Sequence, residues 1–164
     1  MEHSLHPMRR KRQALSQEEC FDHLEKATSG VLSIVDDAGL PYGIPLNFAL
    51  DSNQIIFHGA LKGRKIDAFR KNPQACFTVV IEETVLPQHL ATHYCSIMAF
   101  GKIKIVEDEQ MKRDYLMTLG RRFLPHDDER ITQEIEKMQK ATAVFILEIE
   151  HLTGKIDKRS LEVQ

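Results

Sequence analysis

Six short segments of β-branched or alternating apolar residues (31–35, 42–50, 54–58, 75–83, 93–107 and 143–151) recur along this chain, with turn chemistry between several of them. The connectors are the main constraint on the fold. Asp36-Asp37-Ala38-Gly39 and Asp51-Ser52-Asn53 are tight turns. They are far shorter than the roughly dozen residues that a parallel crossover needs. Six strands with so little room for crossovers predict a mainly β fold with flanking helices, the strands closing into a small antiparallel barrel rather than a parallel sheet.

The remaining segments read as helices and punctuation. Ser16 and Glu19 form a capping box, followed by Cys20, Leu24 and Ala27 at helical spacing, with Gly30 as a natural stop. Residues 62–71 predict a short helix with Ile66, Ala68 and Phe69 on its core face, ended by Asn72-Pro73. Pro45 lies inside the second strand, so that strand should be an edge or carry a bulge. Gly101 marks a bend or bulge in the long strand 93–107. Residues 84–92, with Pro87, read as a loop. Residues 108–123 and 128–141 predict two helices whose apolar faces carry Tyr115, Leu116, Leu119, Ile131, Ile135 and Met138. They are expected to cover one barrel end or gate a cleft.

The 164 residues fit one domain, taken as 16–158, with an N-terminal arm over 1–15 and a C-terminal tail over 159–164. The three cysteines, Cys20, Cys76 and Cys95, are odd in number and show no Cys-x-x-Cys spacing. Reduced thiols in a cytoplasmic protein are the simplest expectation. The start of the chain has no signal-peptide pattern, and no apolar run is long enough to span a bilayer.

Charge singles out one place. Residues 62–71 hold Lys62, Arg64, Lys65, Arg70 and Lys71 against Asp67, a net of +4 in a chain whose total is −2. The first turn of a helix is the positive end of its dipole and prefers carboxylates. Lys62, Arg64 and Lys65 oppose that preference, and local rules broken without local gain tend to mark functional sites. A phosphate would reverse the balance by accepting from free helix amides and cations together. A solvated basic face explains the charge alone equally well. The stretch is not a Walker A loop, and no G-x-G-x-x-G occurs in the chain.

The runs YGIPLNFAL, IIFHGALKGRKIDAFRKNP, CFTVV and YCSIMAFGKIKIVED resemble the FMN-binding split-barrel proteins of the pyridoxamine 5'-phosphate oxidase-like family, most of all the nitroimidazole-resistance (Nim) type. The resemblance spans roughly residues 9–156 and implies a six-stranded antiparallel split barrel that forms a homodimer, with FMN in clefts between subunits. It implies that Arg64 and Lys65 hold the FMN phosphate with Lys62 nearby. His58 and Gly59 would lie beside the phosphate, the ribityl chain or the ring edge. Pro45, Leu46 and Asn47 would line the isoalloxazine with backbone groups, and Ser96 would approach the flavin from the other subunit. FMN supplies the redox chemistry in such proteins, and NAD(P)H is a possible electron donor. His58 is the candidate proton donor, against the alternative that it only hydrogen-bonds phosphate or backbone. The sequence departs from pyridoxamine phosphate oxidase itself: it ends TGKIDKRSLEVQ and has no Trp, so vitamin B6 oxidation is not expected.

Two functional classes stay open on this reading: an FMN-dependent reductase of nitro compounds or similar electrophiles, and a non-catalytic protein holding FMN or haem as carrier or sensor. A nucleic-acid module using Arg9–Arg12 and residues 62–71 is disfavoured by the acidic remainder of the chain. His89, His93 and Cys95 have metal-ligand chemistry, but Pro87 and the strand-like residues from 93 argue against a helix that would align the histidines. A loop lining a cleft mouth, with no metal, is expected there.

Overall fold

A computed structural model describes residues 8–157. Four helices, α1 (Gln17–Lys26), α2 (Arg64–Lys71), α3 (Glu109–Phe123) and α4 (Asp128–Met138), surround seven strands. The strands are β1 (Ser29–Val35), β2 (Pro41–Asn47), β3 (Ala49–Asp51), β4 (Gln54–Ala60), β5 (Gln74–Leu86), β6 (Ala91–Ile105) and β7 (Thr142–Ile156). They form one antiparallel sheet in the order β2-β1-β5-β6-β7-β4-β3. The two end strands of that order, β2 and β3, are consecutive in sequence and joined only by Phe48. The sheet therefore curls until its ends meet at that residue. Counted as one bent strand, β2 and β3 make the six-stranded split barrel that the sequence predicts over 42–50.

Phe48 bends the strand for a packing reason. Its ring is fully buried and meets Phe77 edge-on at 5.0 Å. Phe57 meets Phe77 at 5.0 Å and Phe145 at 5.5 Å, so four aromatic rings fill the barrel. β3 pairs with β4 up to Ala49↔Ile56. Continued two residues further, that register would set Asn47 opposite His58. No pair forms there, because β2 departs to pair with β1, starting from Asn47↔Ser29. The departure leaves a split between residues 45–47 of β2 and 58–60 of β4. Pro45 sits on the terminal strand of the sheet order, where a missing N–H is tolerated.

Alternate residues of β4 and β7 face outward. Ile56, Val144 and Ile146 form a second cluster beneath Leu119 of α3, with Tyr115 and Leu116 packed against it. The Ser16–Glu19 capping box is present at α1, and Gly101 sits at a register shift beside Phe100. Other expectations are corrected. The helix at α1 ends at Lys26, and Gly30 belongs to β1, where a Cβ would lie 2.6 Å from both Phe77 Cζ and the Thr78 carbonyl oxygen. Close sheet packing, not a helix stop, requires glycine at 30. The region 84–92 is not a loop but the end of a long β5–β6 hairpin turned at Pro87–His89. β7 runs on to Ile156 because its second half pairs with β6.

The N-terminal arm lies partly outside the described residues. Within them, Lys11–Gln13 form a short 3-10 turn, and Ala14 bridges to Lys155. The tail 159–164 lies outside them. Among the described residues, no helix is long and apolar enough to cross a membrane.

Candidate functional site

The end of β4 and the start of α2 gather most of the residues that the sequence singles out. α2 begins at Arg64, two residues later than expected, because Gly63 (φ 120°) takes a left-handed conformation at the N-cap. Ile66, Ala68 and Phe69 bury the core face of the helix. In the first turn of α2 the Ile66 amide donates to the Gly63 carbonyl at 2.9 Å, and the Arg64 and Lys65 amides remain for an acceptor in the turn. Lys62 stands exposed in that turn.

Lys65 folds back over β4. A Cβ built on Gly59 would lie 2.9 Å from Lys65 Cε and 3.2 Å from its Nζ. The missing side chain at Gly59 is thus the space that the lysine stem fills, which holds the ammonium at the mouth of the barrel beside the split.

Arg64 is held by a partner that sequence reasoning missed. Its Nε donates to Asp36 Oδ2 at 2.9 Å, and an Nη atom donates to the same oxygen. Its guanidinium carbon lies 4.4 Å from the centroid of the Tyr42 ring. Asp36 is only 6% exposed. Its Oδ1 accepts the amides of Leu40 at 2.7 Å and Ala38 at 3.0 Å. The Leu40 amide first, and then Arg64, hold the Asp36 carboxyl below the ordinary carboxylate range. The Ala38 bond is the Asx-turn signature of an Asp two residues upstream, which is legible in Asp36-Asp37-Ala38-Gly39. Its reach to Arg64 is a tertiary contact and carries no such signal. The Arg64 side chain remains 49% exposed, and the second terminal nitrogen of its fork is left for another acceptor.

His58 lies one residue before Gly59 and points the opposite way, as strand alternation requires. It opens onto a groove of about 740 Å³ on the outside of the barrel, between β4 and helices α3 and α4. Protein around the ring displaces water and lowers the His58 pKa below the ordinary histidine value. The Lys65 ammonium and the His58 imidazole therefore occupy opposite faces of one strand end.

Across the split, Pro45 and Asn47 are exposed, while Leu46 packs against the core. The Asn47 side-chain amide donates to the Thr28 carbonyl at 3.0 Å. Ser96 is not brought to this place. It pairs with Lys155 on β7, whereas His58 pairs with Val144. Those eleven residues of strand correspond to about 36 Å of contour. Ser96 instead lines a hollow of about 270 Å³ with Met98, Phe100, His151 and Thr153. His89, His93 and Cys95 are spread along the β5–β6 hairpin, and Cys95 is buried. Among the described residues, no group of three or more His, Cys, Asp or Glu side chains is placed to hold a metal ion.

A closed antiparallel barrel, split where one strand bends away, with a cationic strand–helix turn at the split, defines the class: this is a split-barrel protein of the pyridoxamine phosphate oxidase-like kind. Residues 16–156 match the sequence pattern of the family described as pyridoxamine 5'-phosphate oxidase, and the chain belongs to that family. No curated protein sequence matches it.

Solved structures agree on the fold. A candidate 5-nitroimidazole antibiotic resistance protein from Bacteroides thetaiotaomicron is 22% identical, with 87% of this chain and 86% of that one covered and a TM-score of 0.71. The flavocytochrome Anf3 from Azotobacter vinelandii is 24% identical, with 93% and 72% covered and a TM-score of 0.77. The FAD and heme binding protein from Mycobacterium smegmatis is 23% identical, with 90% and 74% covered and a TM-score of 0.75.

Proposed function

We propose that this protein binds FMN at the split, with the phosphate on the Lys62–Lys65 turn, and works as a cytoplasmic oxidoreductase that reduces a small electrophilic acceptor. One observation carries the reading. The first turn of α2 offers the amides of Arg64 and Lys65, the Lys65 ammonium seated over Gly59, and a free edge of the Arg64 fork. All three are donors, and a dianionic phosphate matches them in sign and geometry. Asp36 uses one side of the Arg64 fork and fixes the plane in which the other side is presented. The matched family and the printed descriptions of its structural neighbours, flavin binding and nitroimidazole resistance among them, support the same reading.

A bound flavin supplies the electron transfer. The chain's own residues bind and orient it: Lys62, Arg64 and Lys65 at the phosphate, Gly59 by keeping Lys65 in place, and Pro45, Leu46 and Asn47 across the split. Ser96 joins the site only from a second copy, so the reading includes a homodimer. NAD(P)H is the proposed electron donor.

The test is the absorption spectrum of the purified protein, with the released cofactor identified by chromatography. FMN bands that disappear in Arg64→Ala/Lys65→Ala are expected. A flavin retained undiminished by that double variant refutes the phosphate assignment. A second reading, a non-catalytic flavin carrier, is favoured by the isolation of His58, which has no hydrogen-bonding or charged partner among the described residues. Flavin that binds but is reduced by neither NADH nor NADPH, with no turnover of nitro acceptors, would select it. A Soret band in place of the flavin bands would assign a haem protein.

A further inference from the structure

We propose that the groove between α3, α4 and the outer wall of β4 is a binding site for a small amphipathic anion, an apolar body carrying one carboxylate that Arg130 receives.

Shape and lining come first. The groove, about 740 Å³, falls within the ~300–1,000 Å³ range of small-molecule sites. Leu116, Leu119 and Phe123 of α3 face Ile131, Ile135 and Met138 of α4 across it. Phe123 is 49% and Met138 55% exposed, so two large apolar side chains are left in water around one concavity. Scattered exposed apolar residues need no explanation, but two converging on one cavity point to an apolar occupant.

Charge then narrows the occupant. Lys137 donates to Glu134 at 2.9 Å, which neutralises the one carboxylate in the lining. Nearby, Arg121 pairs with Asp128, and Arg113 with Glu136 at 3.6 Å. Arg130 also lines the groove, and its guanidinium makes no ion pair or hydrogen bond among the described residues. It sits in the first turn of α4, at the positive end of that helix. A cation without an ion-pair partner above an apolar trough fits one anionic group on an apolar body. His58 lines the inner wall and offers a hydrogen-bonding group there, and burial disfavours its charged form.

The first and last described residues lie away from the groove. The start of the described chain bridges to β7 at Lys155, and the described chain ends at Asp157, whereas the groove opens at Ala141 and Thr142, at the far end of that strand. A separate small molecule is the occupant proposed. The groove lies on the opposite face of β4 from Lys65, so this inference does not rest on the flavin reading.

The experiment displaces 1-anilinonaphthalene-8-sulfonate from the full chain with decanoate and, in parallel, with decanol. Both are expected to displace the dye, decanoate about fivefold better, the strength of one partly exposed ion pair. Arg130→Gln should erase that preference while leaving decanol unchanged. Ile135→Trp, which fills the trough, should abolish displacement by both. If that variant misfolds by circular dichroism, Met138→Trp at the mouth serves instead. Equal affinity of the two probes for the unaltered protein would overturn the proposal, as would an equal loss of both in Arg130→Gln. So would a dye blocked from the groove by self-association, seen by sedimentation, or a haem in the groove whose Soret band is lost in His58→Ala. Lys65→Ala should leave decanoate binding intact, so a failure of the phosphate site and a failure of this one are separable.

Discussion

Gly59→Ala isolates the role of a single atom's worth of space. The new Cβ would press on Lys65 Cε at 2.9 Å and Nζ at 3.2 Å, and would meet Phe145 Cε1 at an ordinary 3.7 Å. The atoms in the way are the far end of a flexible side chain, so the fold accommodates the methyl by moving the lysine. Backbone entropy favours alanine over glycine in a strand by about 0.5–1 kcal/mol. The melting temperature should therefore hold or rise slightly. The displaced ammonium loses its seat. A charge-assisted hydrogen bond is worth about 1.5–3 kcal/mol, and because the lysine can swing back in part, the lower figure applies, about tenfold in Kd. The assay is quenching of flavin fluorescence, titrated with FMN and with riboflavin. Riboflavin has the same ring and ribityl chain without the phosphate, so the ratio of the two constants reads the phosphate alone. FMN should weaken about tenfold and riboflavin not at all. Lys65→Ala should reproduce the effect, and the double variant should add nothing, because both changes remove one interaction. Equal weakening of both flavins would refute the reasoning, since it would mean that Gly59 shapes the ring site rather than the lysine. An unchanged FMN constant would remove Lys65 from the phosphate grip.

Other outcomes follow from the same coordinates. The Asp36 carboxyl is held below the ordinary carboxylate value in the folded chain, so its contribution to stability is full above about pH 4 and is lost as pH falls through the folded value; Asp36→Asn should flatten the acid limb of melting temperature against pH and weaken FMN more than riboflavin, and an unchanged acid limb would count against the ion pair. Burial raises the Cys20 thiol to about 11 and also raises Cys76 and Cys95, so Ellman's reagent at pH 8 should label the native protein far more slowly than the denatured protein, and one promptly labelled thiol would contradict that. Gly101→Ala puts a Cβ 1.8 Å from the Glu148 carbonyl oxygen, a backbone atom that cannot step aside. A loss of about 2–4 kcal/mol in urea unfolding is expected, and a shift below about 1 kcal/mol would show that the bulge yields.

The sequence predicts the barrel well because its evidence is local. Strand alternation, the Asp51-Ser52-Asn53 turn and the Ser16–Glu19 box are read within a few residues, and each is present in the structure. The basic turn is equally local, since five cations against one carboxylate in residues 62–71 need no tertiary information. What escapes is whatever depends on distant packing. The bend at Phe48 is invisible because Phe48 alternates correctly with its neighbours; the ring of Phe77, 29 residues away, draws it inward. The hairpin over 84–92 reads as a loop because it is exposed, and exposure removes the apolar alternation that marks a strand. Asp36 looks like turn chemistry and nothing more, and it reaches Arg64 only because the β1–β2 turn and the start of α2 meet in space.

The period of a β-strand decides how this protein divides its chemistry. His58 and Gly59 are adjacent, so one faces the outside of the barrel and the other faces its mouth. Without a side chain at 59, the mouth side receives Lys65 and becomes cationic. With an imidazole at 58 and helices α3 and α4 above it, the outer side becomes a largely apolar trough with His58 in its inner wall. A single insertion in β4 before His58 would exchange the two faces, putting the ring into the mouth and glycine into the trough. Such a variant should lose phosphate selectivity and groove binding together, although no residue of either site has been replaced. A variant that kept either one would show that the site in question is built by α2 or by α3 and α4 alone, and not by the strand they share.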